Sequence, residues 1–326
     1  MKDMRRHLVL AVAVGVLMMS CRAGAAPLAS ESTGAAPLAS ESAGASAIAS
    51  PSLATSGQTT PRPVLKGRIE KGTFRSSVLN RTMPFTVYLP PGYEANPSAR
   101  YPAVYLLHGG GGDINEWPSY GLIEAADRLM GTGAIPPYLI VLPFGAQEYW
   151  VDHVTSRIDN GEKWGTYAAK EVVPEMDRRY QTQASQAARA IGGLSMGGHG
   201  AMQLPMNFPG VWSAIGAHSP AIRPEGDAAT FLGRGAEYAA RDPLSLITTK
   251  PDLARIYTWW IDSGDADPWI VPATAVHDRL SALGISNAWH PYKGDHAMDY
   301  WQAHLEDYLR YYAGALCARS TCPRLP

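Results

Sequence analysis

Ser195 is the residue in this chain whose neighbours best suit it to attack an electrophile. It lies in Gly193-Leu194-Ser195-Met196-Gly197, inside a stretch, IGGLSMGGHG (191–200), that holds five glycines. Glycine weakens strand and helix alike, so such a density must serve geometry. The pattern G-x-S-x-G sets a serine on a strained strand-to-helix turn with its oxygen exposed, and small flanking residues let strand and helix approach closely. An ordinary glycine-rich loop has a similar composition; what separates the two is whether the serine has partners. A free hydroxyl is a weak nucleophile, so the chemistry needs an imidazole to take its proton and a carboxylate to hold that imidazole.

Both are found downstream. KGDHAMDYW (293–301) places His296 in a turn between a strand pattern and the last helical pattern. Among the other histidines, His199 follows the serine too closely to serve it. His218, His277 and His290 fall on regular elements where packing or exposure accounts for them. IDSGDADPW (261–269) leaves a strand and offers Asp262, Asp265 and Asp267. Asp262 still belongs to the strand end, and Gly264 lets the loop turn back toward the histidine, which favours Asp267 over Asp265. The resulting order, Ser, Asp, His, is one of the known chain orders of such triads. LLHGGGGD (106–113) has no Cβ atoms to keep backbone N–H groups from a developing negative charge, and the N–H of Met196, after the serine, is a second donor. The tetraglycine could instead cradle a phosphate, but no Gly-Lys-Ser/Thr follows it.

The elements that must position these residues alternate. Strand patterns are read at 84–90, 101–110, 137–144, 188–194, 212–220, 255–264 and 286–292. Helical patterns are read at 122–130, 164–180, 197–208, 272–283 and 297–312, with Pro174 expected to bend the second or start a new turn. Continuous apolar runs such as YPAVYLLHGG and PYLIVLPF suit strands buried on both faces. The fold class is therefore α/β, a mostly parallel sheet covered by helices on both sides, with the site at the carboxyl ends of the strands.

The whole chain has 326 residues, 46% hydrophobic and 17% charged, with a net charge of −1. That leaves no basic field to attract nucleic acid or an anionic membrane. Residues 1–25 read as an export signal: Lys2, Arg5 and Arg6 precede the apolar run LVLAVAVGVLMM (8–19), too short to span a bilayer. AGA (23–25) is an ordinary cleavage site; MMSC (18–21) is the competing lipoprotein-type site, in which Cys21 would carry a lipid anchor. A ten-residue repeat, GAAPLASEST and its variants, tiles residues 24–53 with no bulky apolar face to bury, and residues 26–63 read as a disordered tether. The folded domain is expected over 64–326, in a secreted or periplasmic location. Cys317 and Cys322 are close enough in sequence to pair in an oxidising compartment. No third thiol or nearby histidine completes a metal site with them.

Taken together, FTVYLPPGYEANPSARYPAVYLLHGGGGDINEW, IGGLSMGGHGAM, DSGDADPW and GDHAMDYW resemble the esterase D-like branch of the α/β hydrolases, over roughly residues 64–315. That branch includes the feruloyl and acetylxylan esterases of carbohydrate esterase family 1, S-formylglutathione hydrolases and mycolyltransferases. The resemblance implies an α/β-hydrolase fold, with Ser195 as nucleophile, Asp267 as acid, His296 as base and Gly110 as the first oxyanion donor. It implies a serine carboxylesterase acting on acyl or hydroxycinnamoyl esters, such as those of plant cell-wall polysaccharide, with no metal or organic cofactor. Acyl transfer to a sugar or lipid alcohol is the alternative within enzymology, and an inactive, ligand-binding hydrolase fold is the alternative outside it. Trp117 matches a tryptophan of similar feruloyl esterase segments. Together with Tyr149, Trp150 and Trp164 of the polar, aromatic segment 147–164, it is expected to line the substrate site.

Overall fold

In the computed structural model, which describes residues 65–154 and 161–323, eight strands form one sheet: β1 (Arg68–Ser76), β2 (Arg81–Leu89), β3 (Ala103–Leu107), β4 (Leu139–Pro143), β5 (Arg189–Leu194), β6 (Ala214–His218), β7 (Thr258–Gly264) and β8 (Ala288–Tyr292). Their order across the sheet is β1-β2-β4-β3-β5-β6-β7-β8. β2 pairs antiparallel with both β1 and β4, and every other pairing is parallel. The fold is that of the α/β hydrolases.

The two faces of the sheet separate the core residue by residue. On β3, Ala103, Tyr105 and Leu107 join one buried cluster, and Val104 and Leu106 join the other; β4 splits in the same way between Leu139 and Val141, and Ile140 and Leu142. This is the period-2 alternation of a strand buried on both faces. The helix Met196–Asn207 covers the first face, and Leu122–Gly131 with the final helix, Met298–Cys317, covers the second. Pro174 is placed as anticipated, at a helical irregularity: the run from Trp164 to Arg179 contains a π turn over Ala168–Val172, directly before it. Proline has no N–H to give to the preceding turn, and a widened turn accommodates that loss.

Cys317 and Cys322 are joined by a disulfide at the end of the final helix. The export signal, Cys21 and the repeat segment lie outside the described residues, as do positions 155–160 of the aromatic segment. Among the described residues no helix is long and apolar enough to cross a membrane.

Candidate active site

Close approach is what the glycines around Ser195 provide. A Cβ on Gly193 would lie 2.3 Å from the backbone of Gly197, and one on Gly197 would lie 2.4 Å from the Leu107 carbonyl oxygen. Strand β5 and the helix that follows it are thus packed backbone to backbone. Ser195 between them adopts φ 52° and ψ −117°, a left-handed value outside the ordinary region for a side-chain-bearing residue. Its N–H donates to the His218 carbonyl at 3.0 Å, which fixes the turn to the end of β6.

The structure brings Ser195, His296 and Asp267 into one hydrogen-bonded chain. His296 Nε2 lies 2.8 Å from Ser195 Oγ, and His296 Nδ1 lies 2.8 Å from Asp267 Oδ2. A carboxylate only accepts, so Nδ1 carries the proton and Nε2 presents its lone pair to the serine hydroxyl. The loop after β7 and the turn after β8 are locked together to make this possible. Ala266 N–H donates to the Gly294 carbonyl, Asp265 N–H donates to the Tyr292 carbonyl, and a Cβ on Gly264 would meet Gly294 O at 2.4 Å. Trp301 stands edge-on to the imidazole at 5.0 Å between ring centres. Asp267 is buried; burial alone would push its carboxyl up, but hydrogen bonds from His296, Ser219 and the Trp269 N–H outweigh that and hold it below the usual carboxylate range.

The rival aspartates fall elsewhere. Asp265 is exposed and pairs with Lys293, which with the Gly294 N–H holds its carboxyl low. Asp262 is wholly buried on β7 and pairs with His218.

The glycine-rich loop after β3 is held in shape by three side chains. His108 is buried with Nδ1 against the Gly109 carbonyl at 2.8 Å, and its Nε2 accepts from Gly145 N–H at 2.9 Å. Burial pushes this imidazole's pKa down, which suits a ring that must stay neutral to accept. Glu116 accepts the Gly109 N–H at 2.6 Å, and Gln147 accepts the Gly111 N–H at 2.8 Å. Gly110 between them lines one cavity of about 420 Å³ together with Ser195, Met196, Gln147, Tyr149, Arg223, Phe231 and Trp269.

Three of the four aromatic residues expected at the site lie away from this cavity. Trp117, Trp150 and Trp164 are at most 1% exposed and do not reach this cavity. Trp117 donates to the Leu107 carbonyl at 3.1 Å, on the far side of β3. Trp150 fills the space over Gly145 and Gly200, where a Cβ would meet its ring at 2.4 Å and its Cβ at 2.8 Å respectively. Trp164 donates to Glu162 at 2.9 Å beneath the cation of Arg81. A segment that reads as polar still buried its largest apolar surfaces, because they join the core cluster on the first face of the sheet. Tyr149 alone of the four lines the cavity, on a backbone with φ 52°.

The other aromatic residues lining it are Phe231, whose ring centre lies 6.0 Å from that of Tyr149, and Trp269, and neither was singled out from the sequence. Trp269 had a usable signal, since it lies two residues beyond Asp267 at the carboxyl end of a strand. Arg223 was also missed: it donates Nε to Tyr149 Oη at 2.6 Å and Nη1 to Asp227 at 2.7 Å, and its guanidinium lies over the Tyr149 and Trp269 rings at 5.3 and 5.8 Å.

The fold and this cleft place the molecule among the α/β hydrolases. The Esterase family model matches residues 76–312, and the chain belongs to that family. A ferulic acid esterase structure superposes with a TM-score of 0.69 at 25% identity, over 77% of this chain and 99% of that one. An S-formylglutathione hydrolase from Agrobacterium tumefaciens superposes with a TM-score of 0.66 at 19% identity, over 78% of this chain and 98% of that one, a likeness of fold. An esterase of Mycobacterium tuberculosis is 25% identical over 257 residues, 68% of this chain and 54% of that protein. An endo-1,4-beta-xylanase/feruloyl esterase of Xylanibacter ruminicola is 30% identical over 156 residues, 46% of this chain and 21% of that protein. The chain spans about half the length of the mycobacterial relative.

Proposed function

We propose that this chain is a serine carboxylesterase, and the observation that carries the reading is the unbroken hydrogen-bonded chain Ser195–His296–Asp267 opening into a cavity. Ser195 Oγ attacks the ester carbonyl as His296 Nε2 takes its proton. The tetrahedral oxyanion is met by the N–H groups of Gly110 and Met196. Collapse breaks the bond to the alcohol, which leaves with the proton from His296. Water, deprotonated by the same imidazole, then attacks the acyl-enzyme and releases the acid.

The substrate reading is an acyl or hydroxycinnamoyl ester of the kind carried on cell-wall polysaccharide. It is supported by the relatives' names and by the cavity wall of Tyr149, Phe231 and Trp269, faces on which a planar ring can stack. Asp227 already pairs with Arg223, which favours a neutral acyl group over an anionic one. Export from the cell, supported by the N-terminal sequence, belongs to the same proposal. So does the absence of any nucleic-acid partner or cofactor.

The test is labelling with a fluorophosphonate, followed by turnover of methyl ferulate, acetylated xylan and p-nitrophenyl acetate. One label on Ser195, and loss of about 10⁶-fold in kcat in Ser195→Ala with an unchanged circular dichroism spectrum, are expected. A folded Ser195→Ala retaining a few per cent of activity sinks the assignment.

A further inference from the structure

Ser219 is the first residue beyond β6, and nothing in the reaction just described uses it. It is entirely buried, yet its backbone takes the left-handed value φ 49°. A buried serine can satisfy its hydroxyl in many ways without adopting such a conformation. Here the hydroxyl donates to Asp267 Oδ2, the same oxygen that accepts from His296 Nδ1. The other carboxylate oxygen, Oδ1, takes the Trp269 N–H at 2.7 Å.

The backbone on either side of that hydroxyl is tied just as closely to the site. Ser219 N–H donates to the Asp262 carbonyl at 2.9 Å, while the carbonyl of the preceding residue, His218, accepts the Ser195 N–H at 3.0 Å. One two-residue step at the end of β6 therefore holds the nucleophile's turn through a carbonyl and the acid's carboxylate through a hydroxyl. These attachments come from different strands, β5 and β7, that flank β6 in the sheet.

We propose that Ser219 is a positioning residue of the active site, a fourth member of the chain whose hydroxyl fixes the Asp267 carboxylate in register with the His296 imidazole. The proposal rests on the reading of Ser195, His296 and Asp267 as the reacting chain. A carboxylate free to rotate about its last torsion would spend part of its time with Oδ2 away from Nδ1, and the imidazole would lose its orientation toward Ser195. With Trp269 N–H on one oxygen and Ser219 on the other, both ends of the carboxylate are pinned. The hydroxyl also helps to keep Asp267 ionised despite its burial. The other ionisable groups around it are His296 from the turn after β8 and Tyr300 from the final helix. Asp262 lies on β7, and Asp265, paired with Lys293, lies on the same loop.

The test uses Ser219→Gly and Ser219→Ala, assayed on p-nitrophenyl acetate across pH. Glycine suits a positive φ and takes away the hydroxymethyl group without straining the backbone, so Ser219→Gly should fold with a near-normal Tm. Losing a hydrogen bond to a charged group should lower kcat roughly ten-fold in both variants with KM little changed. It should also move the acid limb of the kcat/KM profile upward, because the Asp267 carboxylate, with one donor fewer, holds a neighbouring proton more tightly. A Ser219→Gly variant with wild-type kcat and an unmoved acid limb overturns the proposal and leaves the esterase reading standing. Recovery of both in glycine but not in alanine also overturns it, since backbone strain, not the hydroxyl, would then be the cause. A wild-type protein that neither turns over any ester nor takes a fluorophosphonate on Ser195 overturns the esterase reading and this inference with it.

Discussion

Two histidine–aspartate pairs, one at the ends of strands β6 and β7 and one in the loops that follow β7 and β8, have nearly the same geometry and different surroundings. His296 Nδ1 meets Asp267 at 2.8 Å, and His218 Nδ1 meets Asp262 at 2.7 Å. Each imidazole offers Nε2 to a hydroxyl, Ser195 in the first case at 2.8 Å and Tyr312 in the second at 2.7 Å. The His296 side chain is 22% exposed and its serine lines a cavity, whereas His218 and Asp262 are 0% exposed. Asp262 is also saturated: Oδ2 accepts from His218 and Trp260, and Oδ1 from the hydroxyls of Tyr300 and Tyr308. The Tyr312 hydroxyl is wedged against β5 and β6, where a Cβ on Gly192 or Gly216 would overlap it. The pair alone therefore does not make a reactive site. Access, and a hydroxyl free to leave its imidazole, separate the Ser195 arrangement from a buried polar knot that joins the final helix to the sheet.

Substitution of each acid breaks the comparison in opposite ways. Asp267→Asn leaves the fold and removes the group that orients His296, so kcat should fall about 10⁴-fold with Tm nearly unchanged. Asp262→Asn places an amide N–H₂ among four donors and breaks a buried pair, which should cost about 3–5 kcal/mol of stability. In a domain of this size that is a loss of roughly 10 °C in Tm. The folded fraction should still turn over ester within a few-fold of wild type. Asp265→Asn, exposed and bound to Lys293, should do little to either quantity. Thermal denaturation and kcat, measured on all three proteins, decide the matter. A crippled, fully stable Asp262→Asn, or a fully active Asp267→Asn, would exchange the roles assigned to the two pairs.

A smaller effect sharpens the same contrast. Tyr312→Phe removes the hydroxyl from His218 Nε2 and leaves that nitrogen buried without its donor, at a cost of about 1–2 kcal/mol. The expected result is a Tm lower by a few degrees and unaltered fluorophosphonate labelling of Ser195. A large drop in labelling rate at temperatures where the variant is folded would show that the buried pair controls the nucleophile.

Much of this arrangement was legible in the sequence, and the parts that were not share a cause. β3 and β4 are continuous apolar runs bounded by glycine and proline, and such runs have few readings. β1, RIEKGTFRS, was not read as a strand: it is an antiparallel edge, mostly exposed, and its charged residues hide the alternation that pairing with β2 imposes. At the site, Ser195, Asp267 and His296 were singled out by local motifs because each occupies a glycine-shaped turn. The buried knot was not found, because Asp262 reads only as one more acid at a strand end. Its partners leave a trace in the spacing of Tyr300, Tyr308 and Tyr312, multiples of four residues apart and hence on one helix face. The aromatic wall failed for another reason. Composition shows that a loop holds tryptophan, but it does not show whether the indole sinks into the core or stays at the surface.

Trp269 gives that last distinction a measurement. Its backbone N–H holds Asp267 and the residue lines the cavity, while Trp150, one of the four aromatics the sequence singled out, is wholly buried. Trp269→Ala keeps the backbone N–H and removes only the ring, so the triad geometry should persist. If an aromatic acyl group stacks there, kcat/KM for methyl ferulate should fall roughly three- to ten-fold more than for p-nitrophenyl acetate, the ratio set by about 0.5–1.5 kcal/mol of ring contact. Trp150→Ala should instead empty a packed site, at a cost of about 3–5 kcal/mol in stability. It should lower Tm sharply and depress both substrates to the same degree. The reverse pattern, selective loss in Trp150→Ala and uniform loss in Trp269→Ala, would return the recognition wall to the 147–164 segment. Equal losses on both esters in Trp269→Ala with an unchanged Tm would mean that the ring shapes the site without reading the acyl group, and the hydroxycinnamoyl preference would lose its structural support.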